Sequence, residues 1–371
     1  MSLTSKSPRR VALEALAAGE VALPAYSHPC SPKKFTQPQL FACLVLKAFF
    51  KTDYRGVVAV LADCGDLTAA LGLECVPHFT TLQKACERLL CFGPADDLLR
   101  ATVRRHLGER PRVELAAADS TGLEARQVSP YFVRRRAKGQ KPSENPHQTT
   151  TYTRFPKAEL VVDCATHVVL CAVASLGPCP DVNRLPVLLL CALAHVSIAT
   201  LLADAGYDWE RAHVVAREAW LVRSVVPAEG GRPTDKPPTG RYRRLMRRYR
   251  DSRYGQRWQA ETVMSMIKRR LGAHVAGRSD ASRARDTMLK VITHNLMLIV
   301  RGLLGVFYRA GRTPFFGGVS CAGGRPVPAP CYLTVKVKTS TSSTTGWSGG
   351  CVAHHASNCA IPLRNCWSVT A

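Results

Sequence analysis

Two apolar runs in this chain each end on an aspartate: VELAAAD closes at Asp119 and IATLLAD at Asp204. Short runs of small and β-branched residues predict buried strands, and a strand ends where the chain turns toward solvent. Each acid therefore emerges at a sheet edge. The two are far apart in sequence, so only folding could bring them together. This pair restricts the region after about residue 110 to a sheet-containing fold.

The surrounding texture supports that reading. KAELVVDCATHVVLCAVASLG reads as two strands joined by a turn at CATH, with Asp163 as a turn former. A helix from about Asp181, the strand SIATLLADAG, the helix WERAHVVAREA and the strand WLVRSVVP follow, with Asp208 as the cap of the helix beginning at Trp209. Strands followed by alternating helix and strand predict an α/β domain with a mixed sheet. The run Leu185 to Ala203 is almost long enough to span a membrane, but His195, Ser197 and Thr200 interrupt it. It reads as a buried helix leading into a buried strand, and no membrane partner is expected.

Upstream, three helix candidates are punctuated by caps at Thr36, Asp53 and Thr80 or Thr81. The predicted organisation is a flexible basic arm over 1–34, then a helical domain over 35–110. An α/β domain follows over 111–310, with a basic linker at 228–252 inside it. A low-complexity, disordered tail completes the chain over 311–371. Cys351, His354, His355, Cys359 and Cys366 lie in that tail without a CxxC pair, which is weak spacing for zinc. The chain has 15 cysteines, and several, such as Cys43 and Cys171, sit inside apolar runs. They read as small hydrophobes in a reducing cytosol, not as a disulfide framework.

Charge narrows the function. Lys and Arg number 51 against 27 Asp and Glu, a formal +24 in 371 residues. Such a surplus favours a polyanionic partner, nucleic acid first. Against that background carboxylates at strand ends are informative, and a third acid, Glu261, stands in the basic stretch RYGQRWQAETVMSMIKRRLG. On one α-helix at about 100° per residue, Arg257, Glu261 and Lys268 fall within about 60° of Tyr254, while Val263 and Ile267 point the other way. Three converging carboxylates would repel one another unless a cation neutralised them, and hard oxygen donors select Mg²⁺ or Mn²⁺. Two such ions can activate a nucleophile and stabilise the leaving oxygen of a phosphodiester. Simpler roles also fit: Asp119 as a turn cap at DSTG, and Glu261 as a helix ion-pair partner of Arg257. The Arg-rich segment RYRRLMRRYR, with Arg247 and Arg248, reads as a phosphate-binding element.

Tyr254, Arg257, Glu261 and Lys268 fit the Tyr-x2-Arg-x3-Glu-x6-Lys signature, and the stretch resembles that of bacterial insertion-sequence DDE transposases. ADSTGL and LLADAGYD are similar to the family's blocks around its two aspartates, and GPCPDVNRLPVLL to the segment between them. The resemblance covers roughly residues 35–305. It implies a ribonuclease H-like mixed sheet flanked by helices, preceded by a small all-helical domain. It further implies Mg²⁺ (or Mn²⁺) held as two ions by Asp119, Asp204 and Glu261. Tyr254, Arg257 and Lys268 would contact DNA near the scissile phosphate. The expected partner is double-stranded DNA, both element ends and target, in the cytoplasm at the nucleoid, and action on two ends is compatible with a homodimer. A catalytically inactive DNA-binding remnant and a metal-dependent nuclease without strand transfer are the alternatives. The sequence departs from the family pattern after about residue 310.

Overall fold

The computed structural model describes residues 4–109, 111–125, 155–228, 237–248 and 251–310, all within the compact unit Met1–Thr313. The N-terminal helices are α1 (Pro8–Ala22), α2 (Gln37–Phe49), α3 (Tyr54–Asp63), α4 (Gly65–Ala70), α5 (Phe79–Leu89) and α6 (Pro94–Leu107). The sheet region follows with β1 (Arg112–Gly122), β2 (Glu124–Ala125), β3 (Phe155–Asp163), β4 (Val169–Gly177), α7 (Leu185–Leu193) and β5 (Ser197–Ala203). Next come α8 (Glu210–Val214), β6 (Arg223–Val225), α9 (Arg241–Arg248), α10 (Trp258–Leu271), β7 (His274–Val275) and α11 (Asp280–Ala310).

Five strands form one mixed sheet in the order β4-β3-β1-β5-β6, and β2 pairs with β7 apart from it. β1 runs antiparallel to β3 and parallel to β5, which runs parallel to β6. Helices cover both faces, so the central strands read as continuous apolar runs rather than alternating ones. Alternate residues go to different cores. Ala117, Leu160 and Leu202 join α10, α11 and the N-terminal helices in one; Ala116, Ala118, Val161, Leu201 and Ala203 join α7 and α8 in the other. The fold is the ribonuclease H-like mixed α/β arrangement, with a helical region ahead of the sheet, that the sequence predicted.

α11 joins these parts. It contacts α1, α2, α5 and α6 on one side and β3 and β4 on the other. Asn295, fully buried, accepts from Val169 N at 2.9 Å and donates to Val169 O at 2.9 Å and to Thr102 Oγ1 at 3.0 Å. Val169 lies where the β3–β4 register shifts, so the side chain satisfies backbone groups beside the irregularity.

The flexible arm expected over 1–34 is overturned for Pro8–Ala22. Ser7 Oγ accepts from Arg10 N, Pro8 occupies the first turn, and Val11, Ala12, Ala15 and Ala18 are fully buried. Glu14 pairs with Arg105 and so ties α1 to α6. Pro in the first turn behind a serine cap is a helix-start signal. His78, not Thr80 or Thr81, caps α5. Thr36 with Gln39 forms the capping box of α2, and Asp53 caps α3 as expected. The apolar run Leu185 to Ala203 is α7 leading into β5. Among the described residues no helix is long and apolar enough to cross a membrane. The tail over 311–371, its cysteines and histidines, and linker residues 229–236 and 249–250 lie outside the described residues.

Candidate active site

Parallel pairing aligns the two aspartates. Ala118 of β1 is in register with Ala203, the last residue of β5, so Asp119 and Asp204 each directly follow a paired alanine. Neighbouring strands lie about 4.8 Å apart, and register partners face the same side. That side is the one α10 covers, since Ala117 and Leu202, two positions earlier, pack in the core with α10 residues. Asp119 Oδ1 accepts from Ser120 N at 2.7 Å. Asp204 Oδ1 accepts from Gly206 N at 3.0 Å and caps the short 3-10 turn Ala205–Tyr207.

Glu261 lies in the first turn of α10 and is exposed. Its link to the strand ends is Arg257, whose Nη2 is 2.7 Å from Glu261 Oε1 and whose Nη1 is 3.9 Å from Asp119 Oδ2. The guanidinium thus stands between two of the three acids. The ion-pair role foreseen for Glu261 is present in the structure. Among the described residues no group of three or more His, Cys, Asp or Glu side chains is gathered closely enough to hold a metal.

The electrostatics still mark these acids as one group. Burial pushes the Asp119 carboxyl up to about 6, with Asp204 and Glu261 adding to the rise and the Ser120 N–H and Arg257 opposing it. Tyr254 is also raised, first by burial and then by the Asp204 and Asp119 charges. Two aspartates and a glutamate are a hard-oxygen donor set, and this mutual repulsion is what a divalent cation would relieve.

The helix carrying the four-residue signature is not a single α-helix. Ser252–Arg257 is a 3-10 turn, and α10 begins at Trp258. The shared face survives because residues three apart eclipse in a 3-10 turn, which puts Tyr254 in line with Arg257. Arg257 and Glu261 then meet across one α-helical turn. Lys268 borders a small cleft with Thr121, Leu123, Met264 and Lys290, so it lies beside the continuation of β1 past Asp119.

The Arg-rich segment is anchored near Asp204, which sequence reasoning missed. Glu210 accepts from Tyr242 N and Arg243 N, both at 3.0 Å, at the start of α9. Asp208 is not the N-cap of the helix that follows; it binds Arg243 through both oxygens, at 2.9 and 2.7 Å, and its side chain is 1% exposed. The helix after it starts at Glu210 with Trp209 as N-cap and no side-chain cap bond. Arg247 is exposed on α9, and the Arg248 side chain lies outside what is described. Asp163 forms the expected turn, accepting from Ala165 N at 3.1 Å and Thr166 N at 3.2 Å.

The residues that carry these acids fall within the range of a known domain. The transposase DDE domain family matches the sequence over residues 112–296. Residues 112–296 belong to that family. The match starts with β1 and ends within α11, so the DDE domain holds the whole five-stranded sheet and all four signature residues. A transposase-type function, DNA as partner and general use of divalent metal ions come with the family. Among curated proteins no match was found.

Proposed function

We propose that the chain is a DNA transposase in which Asp119, Asp204 and Glu261 hold Mg²⁺ or Mn²⁺, as one or two ions. In this reading it cleaves phosphodiesters at element ends and transfers the freed 3′-hydroxyls into target DNA. The observation that carries it is the register of β1 and β5, which sets two aspartates side by side under the helix bearing Glu261. Bound metal would supply Lewis-acid activation of the attacking oxygen and stabilisation of the leaving one.

The chain's own residues do the positioning. Arg257 is paired with Glu261 and near Asp119, and a phosphate entering between them can take its guanidinium as a bidentate partner. Tyr254 adds a hydroxyl and an aromatic face beside both aspartates, and Lys268 a point charge farther along β1. Arg247 and Arg248 extend the basic track on a helix that Asp208 and Glu210 fix near Asp204. The N-terminal helices over 35–110 serve DNA binding or dimerisation in this scheme.

The test is Glu261→Gln in the full chain, on a plasmid carrying the gene with its native flanking sequence. Cleavage in Mg²⁺ should be abolished while DNA binding stays within about twofold. Wild-type cleavage by the variant overturns the triad. Cut ends that the wild-type protein never joins to a second DNA reduce the reading to a nuclease, and a wild-type protein that binds without cutting reduces it to a remnant.

A further inference from the structure

The segment GPCPDVNR after β4 has no part in the proposed chemistry, yet it reaches the strand that carries Asp119. Ser120 is in register with Glu159 of β3, on the sheet face opposite Asp119 and α10. There Ser120 Oγ donates to Asp181 Oδ2 at 2.8 Å. Lys157, two residues from Glu159 on the same face, donates to Asp181 Oδ1 and to Cys179 O, the latter at 3.0 Å. Its side chain is 9% exposed and that of Asp181 25%, so the pair is partly withdrawn from water. The neighbouring row is also polar. Glu159, fully buried, accepts from Ser175 Oγ at 2.7 Å and lies 4.0 Å from Arg184 Nε.

β1 needs such a hold. Its pairing with β5 ends at Ala118, whereas its pairing with β3 continues to Gly122. From Asp119 onward the strand has a ladder on one side only. Ser120 compensates with two bonds in opposite directions: its N–H fixes the Asp119 carboxylate, and its hydroxyl is fixed by Asp181. Buried ion pairs contribute little net stability, because desolvation offsets the attraction. What this one supplies is a defined place for Ser120.

We infer that Asp181, held by Lys157, is a positioning residue that sets the Asp119 carboxylate through Ser120. The inference rests on the reading of Asp119 as a metal ligand. Groups that orient metal ligands typically cost about 10–100-fold in affinity or activity when removed.

The experiment uses the full chain and four variants: Asp181→Ala, Asp181→Asn, Ser120→Ala and Asp119→Ala. Binding of Mn²⁺ alone is followed by electron paramagnetic resonance, and single-turnover cleavage on the same plasmid substrate. Asp181→Ala should weaken Mn²⁺ binding about tenfold and slow cleavage roughly 30-fold, with the DNA concentration for half-maximal rate changed less than about twofold. Asp181→Asn should recover to within about threefold, since its carbonyl can accept from Lys157 and its amide can donate to Ser120 Oγ. Should Asp181→Ala not fold, Ser120→Ala removes the same bond and must show the same two losses. Wild-type Mn²⁺ binding and rate in the folded Asp181→Ala or Ser120→Ala protein overturns the inference. So does an Asp181→Asn protein as impaired as Asp181→Ala. If Asp119→Ala is inactive while Asp181→Ala is unaffected, only the positioning role fails. If Asp119→Ala cleaves normally, the triad fails first.

Discussion

Asp119→Asn should make the metal-free protein more stable at neutral pH. The wild-type carboxyl titrates near 6 instead of its ordinary 3.8, chiefly because it is buried, with two like charges adding to the effect. A raised carboxyl contributes its stability fully below about pH 3.8, where it is protonated in folded and unfolded chains alike. That contribution is lost as pH rises through about 6. At about 1.4 kcal/mol per tenfold, the displacement costs the folded state at most about 3 kcal/mol above pH 6. Arg257, 3.9 Å away, is already counted in that displacement, and access of solvent at the cleft lowers the figure to roughly 1–3 kcal/mol. Asparagine keeps an acceptor for Ser120 N–H and carries no charge, so it escapes the penalty. Urea unfolding followed by circular dichroism, in chelator, should show a gain of roughly 1–3 kcal/mol at about pH 7.5 that shrinks below about 1 kcal/mol near pH 4. Added Mg²⁺ should reverse the ranking, because only the wild type can bind it well. A variant less stable than wild type at neutral pH, or a difference independent of pH, would refute the idea that burial and crowding load this acid.

Two further outcomes can be checked separately. Asn295→Ala leaves Val169 N and O without their buried partner and removes the bond to Thr102, so unfolding should cost roughly 2–4 kcal/mol less, read by thermal or urea denaturation. Replacing Arg247 and Arg248 together with alanine should weaken DNA binding about evenly across sequences. It should also flatten the log–log salt slope by roughly 0.9 for each phosphate no longer neutralised; an unchanged slope rules out phosphate binding by this pair.

Signals that are local and repeat with a period were legible in the sequence. Thr36 and Asp53 announced helix starts because a side-chain cap is a short-range bond, and the apolar runs before Asp119 and Asp204 announced strands because both faces are covered. Long-range pairings were not legible. Nothing near Asp208 shows that Arg243 will take both its oxygens, and nothing in GPCPDVNR shows that Asp181 will meet Ser120. Pro8–Ala22 was missed for a different reason: its burial depends on α2, α6 and α11, which the first residues do not reveal. Tyr254 and Arg257 were grouped correctly on a wrong helix type, because spacings of three suit a 3-10 turn almost as well as an α-turn.

The shared register of β1 and β5 has a consequence for how such a site tolerates change. Connecting segments in general have some freedom to lengthen or shorten, because loop closure costs grow only slowly with length. The seven residues of β5 have no such freedom. Removing or adding one of them would swing Asp204 to the face of Ser120 and Glu159, away from Glu261, and would flip the β5 residues between the change and Asp204 along with it. The distance between the two acids is thus written as a parity along a strand, and a single-residue slip erases it more surely than many substitutions around it.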